Sequence, residues 1–207
     1  EYGLRIKNSG TYYFKNVTGG AILLSESNLN VTLCFEGDNT LEGHVDGTNW
    51  TSRAIDLHAY KNYNSNTVTI KSKSSDSPAV LTCKGKGTSY AVQPGIAVFN
   101  GSKLIIDGPI RVYATGANSG SEDWDAPGVG GLLRDANNKP GGILELRNGA
   151  YQYMEVKYRV FSQLPSNQIV GFASCTFSAR PHESITSNAI DCIVDFSETS
   201  TKPTTGW

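Results

Sequence analysis

Short apolar runs recur in threes along this chain, and that repeat restricts the possible folds more than any single motif does. The first run of each triplet falls at residues 21–24, 54–57, 95–98 and 128–132. The second falls at 31–35, 68–70, 104–106 and 143–146. The third begins near Leu41 and returns at 79–82, 110–113 and 151–154. A partial triplet, 4–6 and 11–14, precedes them. Successive first runs start 33, 41 and 33 residues apart, room for three short strands and three turns. The runs alternate apolar and polar residues, as strands with one buried face must. Between them stand Gly37-Asp38-Asn39, Asn100-Gly101, Asp107-Gly108 and Asn148-Gly149, residue types that tolerate tight corners.

This spacing predicts an all-β fold, a right-handed parallel β-helix with three sides and loop insertions. An antiparallel sandwich is the alternative, because Asn-Gly and Asp-Gly also mark hairpins. A sandwich would repeat one strand-and-turn unit rather than a triplet. The 207 residues suit one domain. Within it, residues 1–156 are expected to form the repeating coils, 157–196 a terminal coil or cap, and 197–207 a linker or tail.

The segment Asn30-Val31-Thr32-Leu33-Cys34-Phe35-Glu36-Gly37-Asp38-Asn39-Thr40-Leu41-Glu42-Gly43 resembles a repeat of bacterial cell-surface β-helix proteins. So do Ala54-Ile55, then Gly101-Ser102-Lys103-Leu104-Ile105-Ile106, then Ala126-Pro127-Gly128-Val129-Gly130-Gly131. The resemblance spans roughly residues 1–156. It implies a pectate-lyase-like fold and a carbohydrate-binding or adhesin-like role. Its motifs speak strongly for the fold and weakly for function.

Eighteen basic residues against nineteen acidic ones favour neither nucleic acid nor an anionic membrane as partner. No apolar run approaches the roughly 20 residues that a spanning helix needs, so membrane insertion is not expected. The chain opens at Glu1 without a signal-like segment, as a mature form or excised domain would. A secreted or cell-surface location is the expectation. The cysteines, Cys34, Cys83, Cys175 and Cys192, form no CxxC pair. A Cys175–Cys192 disulfide and four buried thiols are both open readings.

Two clusters carry candidate binding chemistry. In Ser119-Gly120-Ser121-Glu122-Asp123-Trp124-Asp125-Ala126-Pro127, three carboxylates surround one Trp. Glu122, Asp123 and Asp125 suit Ca²⁺, which takes six to eight oxygen ligands. No other cofactor is indicated. Trp124 suits the apolar face of a sugar, with Asp123 and Asp125 bonding its hydroxyls. The competing reading is a solvated loop whose Trp packs on the strands beneath. The second cluster is Asn49-Trp50-Thr51 with His58, Tyr60 and Tyr63, where Trp50 and Tyr60 suit glycan stacking. Simple aromatic packing competes with it.

Catalytic signatures are missing. No carboxylate pair is evident for glycoside hydrolysis. Arg111 with Asp107 offers no base partner for lyase chemistry. His44, His58 and His182 lack metal spacing, and no nucleophile elbow or phosphate loop is present. The expected function is therefore a non-catalytic module that binds carbohydrate, such as a host or cell-surface glycan. The alternatives are a lyase-like enzyme acting on acidic glycans and a structural spacer of a larger surface protein.

Overall fold

The computed structural model describes residues 3–44, 53–57, 66–87, 93–98, 102–117, 128–130, 142–147, 154–157, 176–177 and 192–195. Among these residues every regular element is a strand and every strand pair is parallel. The described residues are all-β, and the antiparallel alternative is set aside for these strands.

Three sheets take the strands in turn. The first holds β1 (Gly3–Ile6), β3 (Ala21–Leu24), β6 (Ile55–Asp56), β9 (Ile96–Ala97) and β12 (Val129–Gly130). The second holds β2 (Gly10–Lys15), β4 (Asn30–Glu36), β7 (Thr67–Ser72), β10 (Lys103–Asp107), β13 (Gly142–Arg147) and β16 (Cys192–Asp195). The third holds β5 (Asp38–Glu42), β8 (Val80–Lys84), β11 (Arg111–Thr115), β14 (Met154–Lys157) and β15 (Thr176–Phe177). β1 and β2 enter the first and second sheets, and from β3 to β14 the described strands visit the three sheets in strict rotation. Of the remaining described strands, β15 joins the third sheet and β16 the second.

Register turns the repeat into a core. Leu33 pairs with Ile70 and Ile70 with Ile106, and none of the three is exposed. The first sheet lines up Ile22, Ile55, Ile96 and Val129, all buried. The third lines up Leu41, Cys83 and Ala114, also buried. In a parallel sheet each residue stacks on its counterpart in the next strand, so apolar positions one repeat apart form continuous columns. Phe14 stacks on Phe35 with ring centroids 5.1 Å apart, and Tyr12, Phe14 and Val17 lie half-buried over the outermost layer. Cys34 and Cys83 are free buried thiols; burial pushes the Cys83 thiol strongly up, which keeps it protonated. Cys175 lies outside the described residues, so the Cys175–Cys192 pairing does too.

One corner differs from the pattern read in the sequence. The stretch Gly37-Asp38-Asn39 is not all turn. Only Gly37, at φ 69°, makes the corner, and Asp38 and Asn39 already belong to β5. Asn39 points inward at 1 % exposure because its amide satisfies four backbone groups. It accepts from the Val17 N–H at 3.1 Å and donates toward the carbonyls of Glu36, Gly37 and Val80. Asn66, just before β7, is fully buried on the same principle. Of the last third-sheet run read in the sequence, only Met154 lies among the described residues, in β14.

Candidate binding site at the corner between the third and first sheets

Three connections run from the third sheet to the first: β5 to β6, β8 to β9, and β11 to β12. They leave and return at one corner, one repeat apart. The backbone there is tightly stacked. Gly43 N–H donates to Lys84 O at 2.8 Å, and Gly85 N–H to Thr115 O at 2.8 Å. Ala54 N–H donates to Gly95 O at 3.0 Å, and Ile96 N–H to Gly128 O at 2.8 Å. Gly95 is required by this closeness: a Cβ there would meet the carbonyl oxygens of Gly128, Cys83 and Thr115 at 2.8–2.9 Å.

A concavity of about 560 Å³ opens at this corner, beside the N-terminal strands. It is lined by Gly3, Leu4, Gly20, Glu42, Gly43, His44 and Lys86. Leu4 offers an exposed apolar side chain. Glu42 supplies a carboxylate held by Lys86 Nζ at 2.9 Å and Lys84 Nζ at 3.4 Å. The Lys86 hydrogen bond, helped by Lys84, holds that carboxyl below its usual range despite some desolvation. The groove thus combines a small apolar patch, a fixed anion and a cation, the mixture a hydroxyl-rich ligand needs.

Further along the same corner, Arg53 Nη1 and Asp56 Oδ2 pair at 2.5 Å. Gln93 is nearly enclosed, and its Oε1 has no hydrogen-bond partner among the described residues. An unsatisfied buried acceptor is costly and uncommon, so it marks a place where a donor from elsewhere would be welcome.

The residues singled out from sequence, Trp50, Tyr60, Glu122, Asp123, Trp124 and Asp125, all lie outside the described residues. The topology still sorts the connections that carry them. Trp50 belongs to the β5-to-β6 connection and Trp124, with its three carboxylates, to the β11-to-β12 connection. Both span the third-to-first corner, two repeats apart. Tyr60 belongs to the β6-to-β7 connection, which spans the next corner. Leu4, Glu42, His44, Lys86 and Gln93 were not anticipated as a group, because they come from separate repeats. The available signal was positional: Glu42-Gly43-His44 ends a strand just where a long connection begins. Among the described residues no three His, Cys, Asp or Glu side chains form a metal-ligand group. No helix of the described residues is long and apolar enough to cross a membrane. No family model, curated protein or solved structure matches the chain.

Proposed function

We propose that this chain is a right-handed, three-sided parallel β-helix of a secreted or cell-surface protein, and that it binds carbohydrate without catalysis. The cyclic order of three parallel sheets supports the β-helix, and the near-universal right-handedness of parallel crossovers supports its hand. The resemblance to bacterial surface β-helix repeats over residues 1–156 supports the location and the ligand class.

One observation carries the binding site. Both Trp-bearing connections span the corner that also holds the Glu42–His44–Lys86 groove. In this reading Trp50 and Trp124 stack on sugar rings, while Asp123 and Asp125 bond hydroxyls. Ca²⁺, held by Glu122, Asp123 and Asp125, is an optional partner of the site. Tyr60 contributes from the adjacent corner. A glycan array on the full chain, with and without Ca²⁺, finds the ligand. Calorimetry on Trp124→Ala then tests the site, with an expected loss of about tenfold in affinity, the order of one aromatic contact. Unchanged affinity would remove Trp124 from the site and shift attention to Trp50. Turnover of a polysaccharide, abolished by one Asp or Glu substitution, would overturn the non-catalytic reading.

A further inference from the structure

The outer face of the second sheet carries its own constellation, away from the connections just described. Alternation along β2 turns Tyr12 and Phe14 toward the core and Thr11, Tyr13 and Lys15 outward. Register extends each outward residue into a row. Thr11 aligns with Thr32 and Thr69. Tyr13 aligns with Cys34 and Lys71. Lys15 aligns with Glu36, and Glu36 is gripped from both sides, by Lys15 at 2.5 Å and Lys73 at 2.6 Å.

Three properties of this face stand together. Tyr13 is 72 % exposed, the most open of the large hydrophobic side chains among the described residues, and it stands beside the small buried Cys34. Lys15 and Lys73 clamp the Glu36 carboxylate, and Lys71 adds a third lysine in the neighbouring row, although the chain as a whole carries a net charge of −1. A row of three threonine hydroxyls runs alongside. Asp107, next to Lys71 in its row, marks where the basic stretch ends.

We propose that this face binds a sulfated polysaccharide laid across β2, β4 and β7. The Tyr13 ring takes the CH face of a sugar, the threonines take its hydroxyls, and the lysines take its sulfates. Each ammonium has three donors, so Lys15 and Lys73 retain N–H groups after bonding Glu36. The cations here are lysines alone. Planar carboxylate recognition favours the arginine fork, whereas a tetrahedral sulfate is served by point charges. The proposal does not depend on the groove at the third-to-first corner.

The test uses the full chain on immobilised heparin, polygalacturonate and neutral dextran, with a single-stranded DNA arm, at low and raised salt. Retention on heparin above the other three supports the proposal. The double variant Lys15→Gln/Lys73→Gln should lose about tenfold in heparin affinity, the order expected for charge-assisted contacts. Tyr13→Ala should lose several-fold. Glu36→Gln gives the decisive sign. It removes the competing carboxylate and should tighten heparin binding several-fold, whereas a purely structural role for the Lys–Glu–Lys cluster predicts no gain. Equal retention of dextran, tighter binding of polygalacturonate or DNA than of heparin, or a Glu36→Gln variant that binds no better would each overturn it.

Discussion

Asn66 Oδ1 accepts the backbone N–H of Leu29 at 2.8 Å across 37 residues of sequence. Its Nδ2 donates to Glu26 O at 3.0 Å and Leu57 O at 2.9 Å. One buried amide therefore closes three backbone groups at the corner between the first and second sheets, tying two successive repeats together. One repeat later Ser102 holds the same position and again bonds Leu57 O. The polar interior of this corner is thus a device for ending short strands without leaving backbone groups dry.

Replacing Asn66 with Ala should therefore cost more than a cavity of its size implies. It strands the Leu29 N–H and the Glu26 carbonyl, while Ser102 still reaches Leu57 O, and each unsatisfied buried group costs about 1–3 kcal/mol. A loss of at least about 2 kcal/mol in urea unfolding is expected. A loss below about 0.5 kcal/mol, the range of ordinary surface changes, would mean that water reaches the corner.

Leu33→Ala and Ile106→Ala should each lose about 2–5 kcal/mol, since both sit in one fully enclosed column. Because Ile70 neighbours both side chains, the loss in the double variant should depart from the sum of the two single losses. Urea melts of the single and double variants decide this. Losses under about 1 kcal/mol would place the side chains outside the core.

These columns were legible in the sequence because each depends on one apolar residue returning at the repeat interval, as Leu33, Ile70 and Ile106 do. Asn39 and Asn66 were not. Read locally, Asn after Gly signals a turn, and only the neighbouring strands show that its amide is needed inside. The groove was less legible still. Leu4, Glu42 and Lys86 come from three different repeats, and parallel stacking alone brings them together. What the sequence did convey is that long insertions with Trp fall between the third and first runs. The strand order turns that into one shared corner.

Gly95→Ala should be among the most damaging single-methyl additions. The new Cβ would press on three backbone carbonyls, none of which is a flexible side-chain end. Overpacking of this kind costs about 1–3 kcal/mol and sometimes more. Ala54 holds the corresponding position one repeat earlier and keeps its Cβ. The reverse change, Ala54→Gly, should cost only about 0.5–1 kcal/mol, mainly through chain entropy. Thermal melts of both variants test the asymmetry. Equal losses would mean that the corner relaxes around Gly95.

Acid should loosen the strand stack through its clamped carboxylates. Hydrogen bonds from Lys15 and then Lys73 lower the Glu36 carboxyl to about 2. Lys86 first, then Lys84, lowers Glu42. Arg147 first, then Lys103, lowers Glu145, which bridges both side chains on the outer face of the second sheet. A carboxylate whose folded pKa is depressed binds fewer protons when native than when unfolded. Its stabilisation is therefore complete above the unfolded value of about 4.3 and disappears as pH falls through the folded value. For Glu36 the window runs from about 4.3 down to about 2. The melting temperature should be flat with respect to these groups above about pH 5 and should fall steadily below about 4.3. Glu36→Gln should lower stability at neutral pH and follow a shallower acid slope, so the two curves converge near pH 2. Parallel curves would mean that the Lys15–Glu36–Lys73 clamp does not persist in solution, where exposed ion pairs are screened and contribute little.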